Sequence, residues 1–290
     1  MRAGPEGIDA ATRRLYQEVV ESPEQRAFLA RMRALETAVD HPPPPADLTL
    51  AIVPGAFYRE HPRTGADGSV VRERAERLGW PTTLVPLASL GSLQENARLL
   101  VDWLLAHRGS RFVLVSLSKG GSDIKAALAR PEAEAAFADV EGWINLCGIL
   151  HGTPMADWLL SSNPAAVLNR LYHRLRGRRL DFLHDLRRGA GFPLDGALRL
   201  PSHVRMISVI GFPLREHLSS GIARRCHRRL APLGPNDGCV ILADVATLPG
   251  WIYPLWGADH YLRSGTDLRA LTAALLRCLA EELRVPEPAP

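Results

Sequence analysis

Between residues 48 and 150 the chain alternates two patterns of apolar and polar positions. Short, nearly continuous apolar runs, LTLAIVPG (48–55), TTLVPL (82–87), RFVLVSL (111–117) and VEGWINLCGIL (140–150), predict strands. Between them SVVRERAERLGW (69–80), SLQENARLLVDWLLAHR (92–108) and GSDIKAALA (121–129) place apolar residues at helical spacing. The second of these opens with Ser92 and Glu95 in capping-box spacing. HVRMISVIGF (203–212) and GWIYPLW (250–256) resume the strands, and DLRALTAALLRCLAEELR (267–284) closes with a strongly periodic helix. Strand–helix alternation predicts an α/β fold, a mostly parallel, doubly wound sheet with helices on both faces. Strands apolar throughout, rather than alternating, fit a sheet covered on both sides.

Two regions stand outside the alternation. Residues 9–40 carry helical spacing through Leu15, Val19, Val20, Phe28, Leu29, Met32 and Leu35. ESPEQ interrupts it, with Ser22 expected as N-cap and Pro23 as first helical residue. HPPPP (41–45) reads as an extended linker, so residues 1–45 form a helical extension ahead of the core. Residues 158–200 are helical and arginine-rich, without a strand pattern, and read as a lid or cap insertion. The core is then 46–157 and 201–290, with VPEPAP a frayed tail. There are no internal repeats.

At 290 residues and 46% hydrophobic content the chain can bury a large core as one α/β domain with an insertion, or as two modest domains. The formal charge is +4, and only Lys119 and Lys125 are lysines. With no nucleic-acid motif, this mild basicity points to no nucleic-acid partner. Four scattered cysteines without C-x-x-C or His/Cys metal spacing predict free thiols in a reducing compartment and no metal site. Neither a signal-peptide pattern nor a membrane-length apolar run is present, so a cytoplasmic protein is expected. No phosphate-loop or dinucleotide fingerprint calls for a cofactor.

The chemistry concentrates where the 111–117 strand breaks into Ser116-Leu117-Ser118-Lys119-Gly120-Gly121. A strand entering a helix through small-x-Ser-x-Gly matches the nucleophile elbow of the α/β-hydrolases, with Ser116 and Gly120 as the required small neighbours. Ser118 then stands exposed at the positive end of the next helix, beside a lysine no apolar core would choose. A lone serine needs a base and an orienting acid. WGADHYL places His260 just past the last strand, and GPNDGCV places Asp237 in a turn after the preceding one. Their order, Ser118, Asp237, His260, is that of the superfamily. Asp259 adjoins His260 and should diverge from it; Asp244 is the reserve acid. His61 and His151 lie in odd places for a base, and Ser116 and Ser122 lack small flanks. For an oxyanion hole, one backbone N–H would come from Lys119 and the other from the Pro54-Gly55-Ala56-Phe57 loop, with Ala56 preferred and Phe57 second.

Over roughly residues 48–284 this constellation resembles bacterial triacylglycerol lipases and related esterases of the α/β-hydrolase superfamily. Gly152, Thr153, Pro154, Ala156 and Asp157 in LCGILHGTPMADW stand in the lipase pattern that leads into a lid, although Pro54-Gly55 replaces the usual His-Gly of the oxyanion loop. The resemblance implies hydrolysis of a small-molecule ester with an apolar acyl group. Ser118 would be the nucleophile, His260 the base and Asp237 the orienter, with no cofactor. A thioesterase or acyltransferase with the same triad, or a non-catalytic binding protein on the same fold, remain alternatives. The sequence does not fix the oligomeric state.

Overall fold

Burial on both faces is what the apolar runs demand, and the sheet supplies it. The computed structural model describes residues 5–38, 44–45, 47–263 and 267–283, so the proposed linker residues 41–43 and the VPEPAP tail lie outside it. Its strands are β1 (Leu48–Val53), β2 (Thr82–Leu84), β3 (Arg111–Leu117), β4 (Val140–Leu146), β5 (Arg205–Phe212) and β6 (Trp251–Trp256). Among the described residues they form one all-parallel sheet in the order β2-β1-β3-β4-β5-β6. The chain runs outward from β1 to β2 and then returns to the other side of β1 as β3. The crevice at the carboxyl ends of β1 and β3 is therefore a topological switch point, where open α/β sheets place their sites.

The helices are α1 (Pro5–Glu21), α2 (Pro23–Glu36), α3 (Ser69–Arg77), α4 (Leu93–Ala106), α5 (Lys119–Leu128), α6 (Ala133–Ala136), α7 (Pro154–Leu160), α8 (Pro164–Leu175), α9 (Phe182–Asp185), α10 (Gly221–Leu230), α11 (Leu242–Val245) and α12 (Leu268–Glu282). One face of the sheet packs Leu50, Ile52, Val113, Val115, Ile207 and Val209 against α2, α3 and α12. The other packs Ala51, Val53, Leu114, Trp143, Met206 and Ile210 against α4, α5 and the 182–194 segment. Along each central strand, successive residues serve opposite layers, as the two-residue pleat requires.

Several elements differ from the sequence pattern at their ends. β4 stops at Leu146, not 150, because Cys147 adopts φ +47 and turns the chain off the sheet. β2 is only three residues long, as Val85 N–H donates to Ile52 O and Leu87 then folds back on Val85. α5 begins at Lys119, two residues early, leaving Ser118 alone between strand and helix. Ser22 does occupy the N-cap of α2, but its hydroxyl bonds Glu24 while its carbonyl accepts from Gln25 and Arg26 N–H. Ser92, as expected, caps α4 by accepting from Glu95 N–H at 3.1 Å. The arginine-dense α10 carried no apolar signal in the sequence; it buries only Ala223, His227 and Leu230. In the N-terminal region α2 lies on the sheet layer itself, with Phe28 stacked on Trp251 at 5.4 Å and Arg31 paired to Glu281.

Candidate active site

β3 ends at Leu117 and α5 begins at Lys119, so Ser118 must make the whole turn by itself. It does so at φ 49°, ψ −113°, a conformation that costs a non-glycine residue about 1–3 kcal/mol and survives only when its surroundings enforce it. The enforcement is visible: Ser118 N–H donates to Leu146 O at 3.1 Å, and its carbonyl accepts from Gly121 and Ile149 N–H, both at 3.1 Å. Beneath it, buried Ser116 donates to Asn145 Oδ1 at 3.0 Å and accepts from Trp143 Nε1 at 2.8 Å. The end of β1 presses from the side. A Cβ on Gly120 would stand 2.3 Å from Val53 O, and one on Gly55 would stand 3.0 Å from Leu117 O. These two glycines let the β1 loop and the elbow touch backbone to backbone. Four of the five non-glycine residues with positive φ among the described residues, Phe57, Ser118, Cys147 and Leu262, fall in loops at the carboxyl ends of β1, β3, β4 and β6.

The loop after β6 brings His260 onto Ser118, whose hydroxyl donates to Nε2 at 2.9 Å. Nδ1–H donates to Asp237 Oδ2 at 2.8 Å. Asp237 is held in turn: Oδ1 accepts from Cys239 and Val240 N–H at 2.8 Å each, and its carbonyl accepts from His260 N–H at 2.9 Å. The sequence-predicted serine, acid and histidine, far apart along the chain, thus form one continuous hydrogen-bonded line. Burial by itself lowers the basicity of the His260 imidazole. The Asp237 carboxylate, through its charge and its hydrogen bond to Nδ1, raises it, and the pKa stands well above the usual value.

The other candidates take different positions. Asp259 Oδ1 caps its own turn, accepting from Tyr261 and Arg263 N–H. Asp244 is clasped by Arg188 at 2.5 and 2.8 Å. His61 Nε2 lies 3.3 Å from Arg178 Nη1, and His151 lines a separate cavity of about 380 Å³ with Arg188, Asp195 and Asp244. Ser122 is fully buried, donating to Ile149 O. In the loop after β1, Phe57 N–H is turned to Ser89 O at 3.4 Å, while Ala56 N–H and, at the start of α5, Lys119 N–H have no hydrogen-bond partner among the described residues.

Two features were missed by sequence reasoning. Lys119 is not a solvent-facing residue beside Ser118: its side chain is 1% exposed and bonded to Asp123. The i, i+4 spacing of Lys119 and Asp123 was the available signal. Cys147 lies against Asp237 and His260, its sulfur within 4.8 Å of ligand atoms of both. Burial pushes that thiol up to about 12, so it stays neutral. The carboxylate and imidazole beside it already satisfy each other, an arrangement suited to moving a proton.

No protein-family model matches the chain, and no curated protein matches it. Solved structures do. A metagenomic carboxyl esterase superposes with a TM-score of 0.57 at 22% identity, over 94% of this chain and 91% of the esterase. Mature lipase BlEst2 of Bacillus licheniformis gives 0.59 at 24% identity, over 83% of this chain and 96% of the lipase. Phospholipase PlaB of Legionella pneumophila gives 0.56 at 15% identity, over 80% of this chain and 60% of PlaB. At these identities the likeness concerns architecture, and it establishes that the chain has the α/β-hydrolase fold.

Proposed function

We propose that this protein is a serine hydrolase of carboxylic esters that works through an acyl-enzyme. The observation that carries the reading is the Ser118–His260–Asp237 line, with both contacts under 3 Å and a serine held in a strained turn at a helix N-terminus. His260 Nε2 takes the proton as Ser118 Oγ attacks the ester carbonyl, and Asp237 fixes the tautomer that leaves Nε2 free to do so. The developing oxyanion is received by Ala56 and Lys119 N–H, the two unengaged donors flanking the site. The imidazolium returns its proton to the leaving alcohol; water, activated by the same imidazole, then releases the acid and restores Ser118.

A small-molecule ester with an apolar acyl group suits the residues near the oxyanion loop. Phe57 packs edge-on to Phe182 at 5.9 Å and lies 5.2 Å from the His173 ring. Those two partners belong to the 158–200 segment, which supports assigning it as a lid over the site. Its α8 exposes Val167, Leu168, Leu171, Tyr172 and Leu175. Four free cysteines favour a reducing, cytoplasmic setting, and no helix among the described residues is long and apolar enough to cross a membrane.

Hydrolysis of p-nitrophenyl esters of graded acyl length is the test, with the matching acyl thioesters alongside. Turnover is expected to vanish in Ser118→Ala. Equal rates in variant and parent would remove Ser118 as nucleophile, and thioesters strongly preferred over oxygen esters would reassign the chemistry to thioester cleavage.

A further inference from the structure

The buried ion pair behind the nucleophile has no role in the proton relay, yet it occupies some of the best-protected space in the molecule. Lys119 and Asp123 are each 1% exposed, and the ammonium donates to both carboxylate oxygens at 2.7 and 3.0 Å. The carboxylate also accepts from Asn96 Nδ2 at 3.0 Å. Asn96, itself buried, closes a two-way clasp on the backbone of Ala88: Ala88 N–H donates to Oδ1 at 3.0 Å, and Nδ2 donates to Ala88 O at 3.1 Å.

The strand of chain gripped by Asn96 carries the oxyanion loop. Leu87 O accepts from Tyr58 Oη–H at 2.7 Å and from Arg59 Nη2 at 3.1 Å. Ser89 O accepts from Phe57 N–H, and Ser89 Oγ donates to Glu60 at 2.5 Å. Phe182 closes the top, its ring 5.8 Å from the Lys119 ammonium and 5.9 Å from Phe57. A continuous polar path therefore joins the residue after the nucleophile to the loop that holds Ala56. Unpaired buried charges are expensive, so each member is pinned by the others.

We propose that Lys119, Asp123 and Asn96 are positioning residues that set the spacing between the two oxyanion donors, Ala56 N–H and Lys119 N–H. This rests on the serine-hydrolase reading above. Oxyanion donors act only where they are preorganised for the transition state. Loosening the path therefore lowers kcat and leaves ground-state binding of the ester nearly unchanged.

The test compares the parent with Lys119→Met/Asp123→Leu, which removes both charges together, and with Asn96→Leu, which cuts the link to Ala88 while keeping the ion pair. Replacing a buried pair by apolar groups of similar size is often neutral for stability, so thermal melting first establishes that the double variant folds. Each folded variant is expected to lose kcat by about 10- to 100-fold at nearly constant KM. A trifluoromethyl ketone analogue of the ester, which forms the tetrahedral adduct, should lose affinity in parallel, while the carboxylate product should not. A folded variant with parental kcat and parental ketone affinity overturns the proposal. So does one in which substrate, product and ketone all weaken equally, since that is general loosening. Should the double variant fail to fold, Asn96→Leu decides by the same readings. A parent without Ser118-dependent hydrolysis would instead overturn the underlying activity, a separate result.

Discussion

Gly120→Ala isolates the contact on which the site's geometry depends. At an ordinary position inside a helix this substitution stabilises by about 0.5–1 kcal/mol, because alanine has less backbone freedom to lose. Here the added Cβ would stand 2.3 Å from Val53 O and 2.8 Å from Pro54 O, both backbone atoms of the β1 end. Opening the first contact to the 3.0 Å that real Cβ atoms respect needs a shift of 0.7 Å, the difference of the two values. No flexible side chain can absorb it. The shift separates the elbow from the loop two residues before Ala56, and so separates Ser118 from the proposed oxyanion donor. A misplacement approaching 1 Å costs on the order of 100-fold in rate, and overpacking costs about 1–3 kcal/mol in stability. Steady-state kinetics on a p-nitrophenyl ester should show kcat reduced by that order, with Tm lowered by scanning calorimetry. Parental kcat with an unchanged or higher Tm would show that β1 and α5 do not press on each other and that their contact does not set the spacing of the site.

Asp237→Asn keeps the two backbone bonds of the acid loop but presents an amide to Nδ1. The imidazole then carries its proton on Nε2, and kcat should fall by about 10⁴-fold with Tm little changed; a fall below tenfold, read on the same ester, would refute the tautomer role. The raised pKa of His260 places the acid limb of kcat/KM above pH 6.5, because the base must be neutral and becomes so only as pH rises through that raised value. The stability contributed by the same group runs oppositely, being present below the unfolded pKa and lost as pH rises through the folded one. A limb at or below pH 6.5 in the parent would contradict the assignment. Phe28→Ala, by removing the ring stacked on Trp251, should cost about 3–5 kcal/mol in urea unfolding. A loss under 1 kcal/mol would mean that α2 does not belong to the cooperative core.

Much of the architecture was legible because its signals are local. The apolar runs and helical periods identified all six strands in their order, and β3 was placed at both ends, since a polar break and two glycines follow it directly. Strand ends fared worse where a turn was made by long-range contact. β4 is cut short by the positive φ of Cys147, whose N–H is held by Val209 O on the neighbouring strand. α10 was invisible because its polar arginines hide a helix that needs only three buried residues. Ser118, Asp237 and His260 could be named from the elbow motif and chain order, and the structure brings them within hydrogen-bond distance of one another, while Asp259, Asp244, His61 and His151 lie elsewhere in the fold.

The sequence by itself determined the layers of the fold and a short set of chemically competent residues, because pleat, helical period and turn chemistry are properties of neighbours along the chain. Tertiary structure alone decided which atoms meet. It put Nε2 of His260 2.9 Å from Ser118, sent Phe57 N–H to Ser89 and left Ala56 N–H unengaged. It also turned a lysine that local polarity assigns to solvent into the buried partner of Asp123. The distance from His260 to Ser118 is fixed by packing between segments 142 residues apart, and no local pattern encodes it.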